Sequence, residues 1–97
     1  MKGVFLPGNR RVEIRAIAVP QPGPGEVLIA VKASCICRSD LNRYHGNANI
    51  GGATPGTWVS GHEPAGVIVS VGPGVHQVAP GDRVAIHLGI GCGMCAA

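Results

Sequence analysis

The chain has 97 residues, is 45% hydrophobic but only 3% aromatic, and carries 16 glycines, 8 prolines and a net charge of +3. That length supports one modest core rather than two domains, and so many chain-turning residues favour short, tightly linked strands over a helical bundle. The charge is scattered, with Arg10-Arg11 the only adjacent basic pair, so no nucleic-acid partner is expected; no apolar run approaches spanning length, so no membrane partner is expected either.

Near the N-terminus, Val12, Ile14 and Ala16 alternate with Glu13 and Arg15, a pattern that predicts a half-buried strand. Pro20-Gln21-Pro22-Gly23-Pro24-Gly25 then forces a turn, because proline fixes φ and glycine accepts positive φ. The strongest strand pattern follows over 26–33, with Val27, Ile29, Val31 and Ala33 on one face and Leu28, Ala30 and Lys32 on the other. That strand delivers Cys35 and Cys37 at its far end. Ser39 is placed as the N-cap of a short helix from Asp40 to about Tyr44, with Asp40 favourable in the first turn. Residues 46–57 are glycine-rich, contain Pro55 and lack periodicity, which predicts a surface loop. Gly66 to Val71 is a β-branched run stopped by Gly72-Pro73-Gly74, and a last strand is expected from Val84 to Leu88 after the Pro80-Gly81 turn. The fold class expected is mainly β: a small, partly open antiparallel barrel with one or two short helices.

The N-terminus holds no signal peptide, since Lys2 is followed by Gly3, Pro7 and Arg10-Arg11 rather than an apolar stretch. A cytoplasmic, reducing setting is therefore expected, in which the four cysteines serve as metal ligands or free thiols rather than disulfides. Cys37 offers a thiolate, His62 an imidazole and Glu63 a carboxylate. Such a mixed donor set suits zinc, and a zinc ion with an open position polarises an alcohol or carbonyl oxygen. Each residue also has a bland reading: a lone cysteine is commonly a small buried hydrophobe, and a His-Glu pair a surface hydrogen bond.

The run Gly61-His62-Glu63-Pro64-Ala65-Gly66, continued by Gly72 and Val75, resembles the signature of the zinc-containing medium-chain alcohol dehydrogenases. Other pieces similar to that family stand around it in order: Pro24-Gly25-Glu26-Val27-Leu28, Cys37-Arg38-Ser39-Asp40-Leu41 and Gly81-Asp82-Arg83-Val84. The resemblance covers nearly the whole chain, from about Val12 to Cys95. It implies a GroES-like fold and the N-terminal catalytic-domain portion, residues 1–97, of a longer enzyme whose Rossmann domain is absent. It implies Cys37 and His62 as catalytic zinc ligands, with Glu63 as the acid behind the zinc or a ligand in some states. Ser39 falls on the hydroxyl that takes the substrate proton, with a helix cap as its alternative. Asp40 falls on the carboxylate that orients the ligand histidine, and Arg38 on a basic residue that touches the cofactor pyrophosphate. Zinc, NAD or NADP, and an alcohol, aldehyde or ketone substrate are the implied partners, in a homo-dimer or homo-tetramer.

Two positions depart from the family pattern. Asn42 stands where many members have a histidine at the outer end of a proton relay, and it cannot titrate near neutral pH. His45, one turn further on, is either a substitute or simply solvent-exposed. Cys35 stands where glycine is common and is read as a packing residue, with a third thiol close to the metal as the alternative. Cys92-Gly93-Met94-Cys95 resembles the opening of the family's structural-zinc lobe; two thiolates make only half of a four-ligand site. No dinucleotide fingerprint is present, as Gly89-Ile90-Gly91-Cys92-Gly93 has the wrong spacing. Trp58 and the 46–57 loop are expected at the pocket border, with a core or rim anchor as the alternative for Trp58. A zinc-free quinone-reductase-like relative shares the barrel and the Gly-Asp-Arg-Val turn, and a co-chaperonin-like module without catalysis shares the barrel. Both remain alternatives.

Overall fold

The computed structural model describes residues 1–47, 56–89 and 91. Five strands and one helix follow the chain: β1 (Lys2–Phe5), β2 (Glu13–Ala16), β3 (Val27–Ser34), α1 (Arg38–His45), β4 (Pro64–Val71) and β5 (Arg83–Ala85). The first two form an antiparallel pair running from Lys2↔Ala16 to Phe5↔Glu13, and the other three an antiparallel sheet in the order β3-β4-β5. The fold is thus mainly β, as the punctuated strand pattern predicts. The two sheets do not close into a barrel: no strand of one pairs with a strand of the other among the described residues.

The β3–β4 pair is the backbone of the molecule. Its register runs from Val27↔Val71 to Ser34↔Pro64, with irregularities between Leu28 and Ile29 and between Val31 and Ala33. These interruptions defeat the simple two-face alternation expected for β3. Residues 27–30 are all half-buried and 31–34 all exposed, so burial changes along the strand instead of across it. Ile68 on β4 is 2% exposed and, with Phe5 on β1, forms the buried apolar core among the described residues. Burying a side chain of that size contributes about 1.5–3 kcal/mol.

Most element ends shift by one or two residues from expectation, and three differences are larger or bear on the site. β1 was not anticipated; its four residues contain a glycine, and only pairing with β2 makes them a strand. The last strand ends at Ala85 rather than Leu88. The helix begins at Arg38, so Cys37, in extended conformation, and not Ser39, is the N-cap. Helix entry is stabilised by Asp40, whose carboxylate accepts the Cys37 N–H at 2.9 Å. Helix exit is set by Gly46 at φ 80°, whose N–H donates to the Arg43 carbonyl at 3.0 Å. The Gly81-Asp82-Arg83-Val84 turn is structural: the Asp82 carboxylate accepts the Ala79 N–H at 2.9 Å, and backbone bonds tie Gly81 and Asp82 to Ile68. No helix among the described residues is long and apolar enough to cross a membrane.

Candidate metal centre

The far end of the β3–β4 pair sets up the site. Past Ser34↔Pro64 the two strands stay joined by one more bond, from the Cys35 N–H to the Glu63 carbonyl at 3.3 Å. The chain then leaves β3 into α1 on one side and enters β4 from Gly61-His62-Glu63 on the other. Gly61 makes the second approach possible: its φ of 108° is a conformation side chains rarely adopt, and a Cβ there would meet the Ser34 hydroxyl at 3.4 Å. Cys37 and His62, distant in sequence, are thereby brought to the same corner.

Ligand atoms of Cys37, His62 and Glu63 all lie within 4.8 Å of one another. Thiolate, imidazole and carboxylate together carry two negative charges against the two positive charges of zinc, a donor set that suits that ion. The His62 ring is oriented from behind: Nδ1 lies 3.5 Å from Asp40 Oδ1, while Nε2 lies 3.2 Å from Ser39 Oγ and 3.9 Å from Glu63 Oε1. Asp40 is 7% exposed and is the buried charged residue among those described. Its Oδ1 and His62 Nδ1 are both buried without a well-formed hydrogen bond. A proton on Nδ1 directed at Asp40 leaves the Nε2 lone pair free on the side of Cys37 and Glu63. That is the tautomer a ligand histidine needs, held by a carboxylate as such histidines commonly are.

The electrostatics favour the charged forms of both partners. The Ser39 hydroxyl, then the Ser39 backbone N–H, then the His62 ring hydrogen-bond to the Cys37 sulfur and lower its pKa below the usual thiol value, against burial and the Glu63 charge. The His62 pKa is raised, chiefly by the hydrogen bond to Cys37, with the charges of Asp40, Cys37 and Glu63 adding and burial opposing. A thiol readily converted to thiolate is the form that ligates metals.

The remaining predicted residues fall around this corner. Ser39 is half-buried with its hydroxyl turned to His62 rather than to a helix-capping position. Arg38 is exposed in the first turn of α1, Asn42 and His45 are exposed, and the His45 ring packs edge-on against Tyr44. Cys35 is an exposed free thiol outside the three-ligand group, not a packing residue. It helps to line an apolar cleft of about 540 Å³ with Val4, Leu6, Ile36, Leu41 and Tyr44. Trp58 is 39% exposed and lies beneath Arg43, whose guanidinium carbon is 5.2 Å from the ring centroid. In the sequence, the signal for Arg43 is its spacing of four from Ser39 on a helix. Cys92 and Cys95 and most of the 46–57 loop lie outside the described residues.

Fold and corner together are a mainly β domain with Cys37, His62 and Glu63 gathered at the end of its central strand pair. Residues 23–97 match the family described as the alcohol dehydrogenase GroES-like domain, and the chain belongs to that family. It is similar to the uncharacterized zinc-type alcohol dehydrogenase-like protein YphC of Escherichia coli K12, with 40% identity over 98% of this chain and 28% of the relative. The L-threonine 3-dehydrogenase of Pyrococcus horikoshii is 44% identical over 88% of this chain and 24% of its own length. Among solved structures, the cobalt- and zinc-bound thermostable alcohol dehydrogenase from Pyrobaculum aerophilum superposes with a TM-score of 0.82 and 37% identity, covering 99% of this chain and 29% of that one. The chain thus spans about a quarter of the length of the curated relatives it matches.

Proposed function

We propose that this chain forms the zinc-binding catalytic part of an NAD(P)-dependent dehydrogenase acting on an alcohol or polyol, or on the matching aldehyde or ketone. The carrying observation is the convergence of Cys37, His62 and Glu63 within 4.8 Å, with the Ser39 hydroxyl 3.2 Å from the His62 ring. Those three residues would hold a zinc ion, which would supply Lewis acidity toward an alcohol or carbonyl oxygen. The Ser39 hydroxyl, on the same side of the His62 ring, receives the proton of the substrate hydroxyl and passes it outward. Asn42 cannot continue that relay by titrating, so the proton leaves from Ser39 through other groups or solvent. Asp40 fixes the His62 ring and tautomer from behind and takes no part in the transfer itself. Arg38, exposed at the start of α1, would hold the pyrophosphate of NAD(P)+, which would supply the hydride acceptor when bound.

The relatives support this reading by what their names say: one is a zinc-type alcohol dehydrogenase-like protein, one an L-threonine 3-dehydrogenase, and one an alcohol dehydrogenase structure holding cobalt and zinc. Cys92 and Cys95 are assigned to a structural zinc, and a cytoplasmic homo-dimer or homo-tetramer is the assembly proposed for the enzyme. The test is equilibrium dialysis against zinc, followed by metal analysis, on a background in which Cys92 and Cys95 are replaced by serine. The expected result is a single zinc retained, and lost in His62→Ala. A chain that takes up no zinc, or takes it up equally in His62→Ala, overturns the reading in favour of a zinc-free member of the family.

A further inference from the structure

Among the described residues, Arg43 is paired with no carboxylate. The chain has five aspartate and glutamate side chains, all among the described residues, and each is engaged elsewhere: Glu13 with Arg15, Glu26 with the Gly23 N–H, Asp82 with the Ala79 N–H, and Asp40 and Glu63 around His62. Arg43 is half-buried, and its Nε is buried with no hydrogen-bond partner. A guanidinium carries five donors and remains charged at any pH a protein meets, so burying its Nε without a partner is costly. Its described neighbour is the face of Trp58, at a distance where a cation and a ring attract but where no donor is satisfied.

Its position is as informative as its charge. On α1, Arg43 follows Ser39 by four residues and Asp40 by three, so it projects between them on the helix face turned toward His62. It stands about 6 Å further along the axis than Ser39, and helical side chains lean back toward the N-terminus, here toward the Ser39 turn. Trp58 lies on the segment that runs directly into Gly61-His62. The two segments that deliver Ser39 and His62 therefore also deliver Arg43 and Trp58.

We infer that Arg43, steadied on Trp58, is a specificity-determining residue that receives a carboxylate carried by the substrate, so that the preferred alcohols are short hydroxy acids. This inference rests on the metal-centre reading, since it places the carbinol end of the substrate beside Ser39 and His62. A carboxylate satisfies the guanidinium with paired, charge-assisted hydrogen bonds that a neutral amide of the same shape cannot match.

The test uses the zinc-loaded chain and a matched pair of ligands, 3-hydroxybutyrate and 3-hydroxybutyramide. Trp58 is the only tryptophan, so its fluorescence reports binding beside Arg43. The acid should bind about tenfold more tightly than the amide, the effect of one good charge-assisted pair. Arg43→Gln should bring the acid-to-amide ratio close to one, and Arg43→Lys, which keeps the charge but not the fork, should retain part of the preference. A merely structural role for Arg43 would alter folding without moving that ratio selectively. Equal affinities in the unmodified chain, or an acid preference that survives Arg43→Gln as direct ligation of zinc by the carboxylate would give, overturn the inference while leaving the metal centre intact. Failure of the chain to retain zinc in dialysis refutes the metal centre and this inference with it.

Discussion

The two ends of the β3–β4 pair are built on opposite principles. At the Val27↔Val71 end the polar groups are matched: the Gly25 N–H donates to the Pro73 carbonyl at 2.8 Å, the Gly72 N–H to the Glu26 carbonyl at 2.8 Å, and the Gly23 N–H to the Glu26 carboxylate at 2.9 Å. At the Ser34↔Pro64 end, Asp40 Oδ1, His62 Nδ1 and, one helical turn away, Arg43 Nε are buried without well-formed partners. Buried polar groups left unmatched cost stability. One end closes the sheet with matched bonds, and the other is the end at which the proposed metal centre lies. The difference teaches where to look for function in this chain: at the end where satisfaction is deferred.

Substitutions can break that contrast, and the largest effect is expected at the ligands. Cys37→Ser or His62→Ala should weaken zinc binding by at least about 100-fold, the upper end of what removal of even an outer partner costs, as read by competition with a chromogenic chelator. At the core of the same sheet, Ile68→Ala should destabilise the fold by about 2–4 kcal/mol through the cavity it leaves. Urea denaturation measures that loss, and the protein that remains folded should keep its zinc affinity. A core substitution that abolished zinc binding at low denaturant would blur the distinction between the two ends. Asp40→Ala should fall between these cases, lowering zinc affinity roughly 10–100-fold and also weakening helix entry, since the Cys37 N–H loses its acceptor.

The subtlest effect concerns pH in the metal-free chain. The Cys37 thiol is held below its usual value, so the thiolate's contribution to stability is complete above the ordinary thiol range and is lost as pH falls through the lowered value. His62 is raised, so its imidazolium contributes below the ordinary histidine value and that contribution is lost as pH rises through the raised one. Between those limits the thiolate–imidazolium pair is favoured. Since the Ser39 hydroxyl is the first cause of the Cys37 shift, Ser39→Ala should move the pH profile of Cys37 alkylation upward. Cys35, alkylated in the same tube and resolved by mass spectrometry, serves as the internal reference. An unmoved profile would mean that Ser39 does not govern the thiol.

Much of this was legible in the residues, and what was missed has physical causes. β3 and β4 are long, rich in β-branched side chains and bounded by glycine and proline, so local pattern suffices. The donor types in Gly61-His62-Glu63 and Cys37-Arg38-Ser39-Asp40 allowed a metal reading, and the resemblance of those runs to the zinc dehydrogenase pattern is what pointed to which groups could meet. β1 escaped notice because Lys2-Gly3-Val4-Phe5 has little strand character alone and is defined by a partner at Glu13–Ala16. The helix start was misplaced because hydroxyl residues are favoured caps, whereas here Cys37 caps and Asp40 supplies the side-chain bond. The irregularities in β3 carry no local mark. Arg43 on Trp58 depends on the approach of two separate segments, which periodicity cannot reveal.

The small β1–β2 sheet governs more than its own four-residue strands. The Ser60 N–H donates to the Val4 carbonyl at 2.7 Å, and the Arg15 guanidinium, resting on Phe5, donates to the Gly56 carbonyl at 2.8 Å. The N-terminal hairpin therefore anchors both ends of the 56–60 stretch that hands the chain to His62. Trimming the first five residues would unmoor that histidine from a distance, so an expression design that shortens the N-terminus would compromise metal capture without touching a ligand.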